Sequence, residues 1–141
     1  MNKKIIAIIC VFISLGLIFG IITSRYIRNE RKADEENYLL AAGNAAYQLS
    51  LYIETGDKEY FSLAAADIIQ MSLMTDSAEA IVKSDEAQVI KDIASALSVN
   101  EELFLNEAQR LCDAFSMIEE NGDNTEYAYA QIKIAFTNSG L

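Results

Sequence analysis

Ile53-Glu54-Thr55-Gly56-Asp57-Lys58-Glu59-Tyr60 is the stretch on which the reading of this chain turns. N-terminal to it, Tyr38, Ala42, Ala45, Leu49 and Tyr52 recur at spacings of 4, 3, 4 and 3, and Leu39, Ala46 and Ile53 widen the stripe. That is the seam of a helix packed against neighbours. C-terminal to it, Phe61, Ala64, Ile68, Met71, Ala78 and Val82 keep the same step, with Thr75 at the one polar seam position. Between the two patterns, Gly56 suits the left-handed position that ends a helix, and Asp57 can cap the next by accepting a backbone N–H. The stretch therefore predicts a helix, a tight turn and a second helix.

Further along, Ser84 is the expected N-cap of a third helix whose apolar face is Val89, Ile90, Ile93, Ala94 and Leu97. Asn100, followed by Glu101 and Glu102, marks a kink or restart. Phe104, Ala108, Leu111, Phe115 and Ile118 carry the pattern to about Glu120. There the turn chemistry returns, in Gly122-Asp123-Asn124-Thr125-Glu126-Tyr127. Between Thr125 and Thr137, Ala130, Ile132, Ile134 and Phe136 alternate as in a strand, yet Tyr127, Ala130 and Ile134 fit a helix. A lone strand has no partner in this sequence, so the segment is read as helix. Two hairpins, turning at Gly56-Asp57 and Gly122-Asp123, predict an all-α chain with an antiparallel up-down bundle of about four helices.

The N-terminal part has another character. Residues 1–4 form a short basic tail, and Ile5 to Ser24 are twenty residues without a charge. At 1.5 Å per residue such a run is roughly 30 Å long, enough to cross a bilayer. It lacks the small-residue pattern of a cleavage site, so it reads as an uncleaved transmembrane anchor. Residues 25–32 follow as a basic juxtamembrane segment, in which Arg25, Arg28, Arg31 and Lys32 are expected to contact lipid headgroups. Gly16 and Gly20, one helical turn apart, leave a flat groove where a second copy can pair through the membrane helix. With no breaker from Asn29 to Glu54, the span is expected to run on into the first bundle helix.

The remaining residues, 33–141, hold five basic and twenty acidic side chains, a net charge of -15. Such a domain repels phosphate backbones, which excludes nucleic acid as a partner. Counting basic flanks favours a cytoplasmic bundle. The short basic tail ahead of an apolar run, and the placing of an acidic domain on the positive side of the membrane, favour an extracytoplasmic one, which is the reading adopted.

Chemistry is sparse. The chain has no His, no Pro and no Trp, so His-ligated metals and His-activated nucleophiles are excluded. The acid pairs Asp85-Glu86, Glu101-Glu102 and Glu119-Glu120 and the triplet Asp34-Glu35-Glu36 point in divergent directions along their helices and read as solvated faces and favourable helix starts. Arg110 has Glu107 and Asp113 three residues to either side and is expected to pair locally. Cys10 and Cys112 fall in different segments, so no intramolecular disulfide is expected, and Cys112 reads as a small core residue. No catalytic residue, metal site or cofactor is expected.

Tyr52 to Tyr60, placed after a membrane helix, resembles the turn of CHASE3-type and related four-helix-bundle sensor domains, the extracytoplasmic bundles of bacterial histidine kinases and chemoreceptors. The resemblance implies a ligand-sensing bundle, and no functional residue carries over. No second span or output module follows the bundle before Leu141, so signalling would pass through a separate partner. The residues themselves point first to a single-pass membrane protein that works by protein–protein interaction or tethering, with ligand sensing as the alternative.

Overall fold

The computed structural model describes the backbone of residues 3–140 and the side chains of residues 13–140. Every regular element among them is helical. The chain divides into two compact units, Met1–Ala33 and Asp34–Leu141.

In the first unit the backbone is helical, part of α1 (Lys3–Thr55). Phe19 leaves 72% of its surface in solvent, and Ile13, Leu17, Ile18 and Ile22 are likewise exposed. A Cβ placed on Gly16 or Gly20 would meet nothing within 4 Å. Arg25, Arg28, Arg31 and Lys32 all lie on the exposed surface of the helix. Among the described residues no helix is long and apolar enough to cross a membrane. Residues 5–12 of the expected span lie outside the described side chains.

In the second unit the end of α1 is joined by α2 (Lys58–Met74), α3 (Ser84–Asn100), a 3-10 helix (Glu101–Glu107), α4 (Ala108–Glu120) and α5 (Thr125–Asn138). α2 packs along α3, α4 along α5, and α3 also meets α5. α1 touches α2 through Tyr52 and Phe61, whose rings meet edge-on with centroids 5.2 Å apart. It reaches α4 where the Cys112 thiol donates to the Ala46 carbonyl at 3.3 Å. Tyr38, Leu49, Phe61, Ile68, Phe104, Phe115 and Ile132 are among the fully buried side chains. The seam that begins at Phe61 continues past the end of α2: Thr75, Ala78 and Val82 are buried in the turns leading to α3. Thr75 is accommodated because its hydroxyl donates to the Ser72 carbonyl at 3.0 Å.

The two hairpin turns differ in construction. Gly56 adopts φ 73°, its N–H bonds the Tyr52 carbonyl at 2.7 Å, and Asp57 accepts the Glu59 N–H at 3.0 Å. At the other turn the left-handed residue is Asn121, with φ 47°. Gly122 and Asp123 lie in this turn, but Asp123 caps nothing; the Thr125 hydroxyl instead donates to the Gly122 carbonyl at 3.2 Å. Asn can take the left-handed conformation at modest cost, so the reversal comes one residue before the glycine. At Asn100 the expected cap is present: its side chain accepts the Glu102 N–H at 3.2 Å, and the seven-residue 3-10 helix follows.

α5 is helical throughout the segment that alternates like a strand. The face it buries is not the one expected. Tyr127, Ala130 and Ile134 are exposed, and Ala128, Tyr129, Ile132 and Ala135 form the buried side. The period is helical but its phase is set by packing. Tyr129 points inward because its hydroxyl meets that of Tyr38.

Candidate functional site

α3 starts one residue earlier than a Ser84 cap would give. Ser84 is its first helical residue, and the cap position belongs to Lys83. Glu86 is therefore the third helical residue, and its Oε2 accepts the Lys83 backbone N–H at 2.7 Å. This arrangement buries the Glu86 side chain to 8% exposure. Glu86 was expected to be solvated with Asp85; it is instead the one charged residue within the described core. A buried carboxylate is tolerated here because a helix N-terminus and a backbone donor both stabilise its charge. The Lys83 ammonium lies 4.0 Å from Glu86 and 3.9 Å from Glu126, linking the starts of α3 and α5.

Next to this carboxylate lies a pair of phenols. The hydroxyls of Tyr38 on α1 and Tyr129 on α5 are 3.0 Å apart in the core. Burial, then the neighbouring Tyr129 and the charge of Glu86, hold Tyr38 far above the usual phenol range. Burial pushes Tyr129 up to about 12; the hydrogen bond it shares with Tyr38 opposes the shift and Glu86 adds to it. Both remain neutral phenols at physiological pH, and the pair acts as a structural lock between α1 and α5.

A groove open to solvent runs from this cluster along the seam between α3 and α5. Its first part, about 240 Å³, lies between Glu86 and Val89 on one wall and Tyr129, Ala130 and Lys133 on the other. The middle, about 480 Å³, has Asp85, Gln88 and Asp92 facing Lys133, Phe136 and Thr137. The last part, about 300 Å³, continues past Ala96 and Val99 to Leu103. Asp85, Val89 and Lys133 are shared by the first two parts, and Asp92 and Phe136 by the last two, so the three are one surface. Half-buried Val89 and Phe136 supply an apolar floor, and Phe136 is backed by Phe104, 6.5 Å away ring to ring. Asp92 accepts a hydrogen bond from Gln88 at 2.6 Å. A floor of this kind with an acidic rim binds apolar side chains and places positive groups beside them.

Arg110 lies elsewhere, between α4 and α5. Its Nε donates to Glu107 at 2.9 Å, the local pair expected, and its Nη1 donates to Gln131 at 2.5 Å. Asp113, the other expected partner, accepts from Gln109 at 2.8 Å. Cys112 is buried, and its thiol is pushed up first by burial and then by Asp113, so it is held in the unreactive protonated form. Among the described residues no group of three His, Cys, Asp or Glu side chains is placed to hold a metal.

The α3–α5 groove was not visible in the sequence. Its walls are more than thirty residues apart at their closest pairing, and only the packing of α5 on α3 brings Val89 to Lys133 and Phe136. A signal for Glu86 did exist, since Glu three residues after a cap is the capping-box spacing, but it depends on placing the cap at Lys83. No protein-family model, no curated protein and no solved structure matches this chain.

Proposed function

We propose that the chain is a single-pass membrane-anchored protein. Its acidic helical bundle stands outside the cytoplasm and acts by protein–protein interaction rather than catalysis. The observation that carries the interaction is the α3–α5 groove, where Val89 and Phe136 lie at the base and Val99, 84% exposed, lies at one end. In a domain of net charge -15, the occupant that fits is a partner segment offering apolar anchors flanked by Lys or Arg. The anchor rests on the uncharged run Ile5 to Ser24 and the basic residues around it. Arg25, Arg28, Arg31 and Lys32 contact headgroups, and Gly16 and Gly20 offer a surface for a second membrane helix.

The test joins location to contact. The full chain should sediment with membranes, resist alkaline carbonate and be released by detergent, and a C-terminal reporter should be active outside the cytoplasm. A photo-crosslinking residue at Val99 should then yield a discrete adduct with another protein that one at Glu120 does not. Release by carbonate removes the anchor, and identical patterns from Val99 and Glu120 remove the groove.

A second reading, the ligand-sensing bundle, is favoured by the size of the central groove, about 480 Å³, which is within the range of small-molecule sites. Thermal stabilisation by an amphiphilic small molecule, lost in Phe136→Ala, would select it over a protein partner.

A further inference from the structure

Away from the core, α1 carries Asn37, Leu40, Asn44 and Tyr47 in one exposed line, at spacings of three, four and three. Leu40 and Tyr47 keep 60% and 61% of their surface in solvent. Alternating steps of three and four repeat every seven residues, as in a coiled-coil seam, with Asn37 and Asn44 at one heptad position and Leu40 and Tyr47 at the other. The surrounding run, from Asn37 to Ile53, contains no charged residue, although the domain has twenty acids. From another element, the exposed Glu119 carboxylate of α4 lies over Gly43 beside the strip.

We infer that this strip binds the same strip of a second copy of the chain, with the two α1 helices parallel. The choice of occupant follows from charge. A basic partner gains nothing on a neutral face and is drawn to the acidic ones instead. A second copy, equally acidic, is repelled by most of this surface and meets the least repulsion here. The orientation follows from the order of the residues. In a parallel pair Asn37 faces Asn37, Leu40 faces Leu40, Asn44 faces Asn44 and Tyr47 faces Tyr47. A carboxamide is both donor and acceptor, so like Asn residues satisfy one another while Leu and Tyr bury apolar surface. An antiparallel pair centred on the strip sets Asn37 against Tyr47 and Asn44 against Leu40, leaving every amide opposite a mainly apolar side chain. Buried Asn at a seam position is also a known means of fixing register. The strip spans about 15 Å of helix, so the contact is small and the pair is in exchange with single chains.

This pairing is separate from the α3–α5 groove and from any contact at Gly16 and Gly20. It is tested on the full chain in detergent micelles, in a Cys10→Ala background, by mild oxidation of single variants. Leu40→Cys and Tyr47→Cys should each form a disulfide-linked dimer at least about tenfold faster than Leu63→Cys and Leu73→Cys, which sit at exposed apolar positions of α2. Like-residue disulfides at both 40 and 47 require the parallel arrangement. Adding Gly16→Ile with Gly20→Ile should leave these rates within about twofold. Equal rates at all four positions, or loss of the dimer with the glycine replacements alone, would overturn the inference. As a second check, Leu40→Glu with Tyr47→Glu, placed in the Gly16→Ile and Gly20→Ile background so that no membrane-helix contact remains, alters only exposed positions of the strip, and it should abolish dimer seen by non-specific amine cross-linking while the helical circular dichroism is unchanged. Persistence of that dimer would equally overturn the inference.

Discussion

Tyr38 and Tyr129 place two hydroxyls 3.0 Å apart in a core built mainly from Ala, Ile, Leu and Phe. Removing one leaves the other buried without its partner, so Tyr38→Phe or Tyr129→Phe should each cost about 1–2 kcal/mol. The double variant should cost less than the sum of the two, because no orphaned hydroxyl is left, and thermal melts of the three proteins measure the difference. Their pH dependence has a definite sign. Both phenols bind their protons more tightly folded than unfolded. The stability they contribute is therefore complete below the unfolded phenol value, about 10. It is lost as pH rises toward and through the folded value of Tyr129, about 12. The double Phe variant should show a shallower decline over that window in denaturant titrations. Glu86 shows the limit of sequence reading at this scale. Asp85 and Glu86 are adjacent acids, and a one-residue shift in where α3 begins decides which of them is covered.

α2 was legible as far as Met74: Phe61, Ala64, Ile68 and Met71 are its buried seam, whereas Thr75, Ala78 and Val82, expected to continue the helix, are buried in the turns that follow it. α5 was legible only as a helix. Ala128, Ile132 and Ala135 keep the same 3/4 spacing as Tyr127, Ala130 and Ile134, so period alone cannot choose between the faces, and contacts from α1 and α4 do. Two substitutions separate the faces by stability. Ile132→Ala, at a fully buried site, should cost about 2–4 kcal/mol. Ile134→Ser, at a site 42% exposed, should cost no more than about 1 kcal/mol. Comparable losses in urea titrations would put the helix in the other phase. In α1, Gly43 is a helix-interior glycine whose missing Cβ leaves room for the Glu119 carboxylate. Gly43→Ala removes a penalty of about 1 kcal/mol in helix propensity. Glu119 is exposed and its carboxylate ends a flexible chain, so it can swing away at little cost. The expected outcome is a net gain of about 0.5–1 kcal/mol in thermal melts, and a loss would show that Glu119 is held where it lies.

For the whole molecule, the division into Met1–Ala33 and Asp34–Leu141 makes a strong prediction, since the second unit contains the entire described core. Residues 34–141 expressed alone should be soluble, strongly helical and lost in one cooperative transition by circular dichroism. A gradual melt would mean that the bundle depends on the N-terminal unit. Near residue 33 the charge changes sign, from the basic residues of 25–32 to Asp34, Glu35 and Glu36, whereas pairings between helices distant in sequence leave no local mark. The buried tyrosine pair also makes the molecule its own optical reporter. The chain has seven Tyr and no Trp, so its near-ultraviolet absorbance is dominated by phenols. Tyr38 and Tyr129 are the two phenols that burial holds neutral well above the usual range. On a jump to high pH the absorbance of their phenolates rises only as the core opens, and its time course gives the rate of that opening without any attached label.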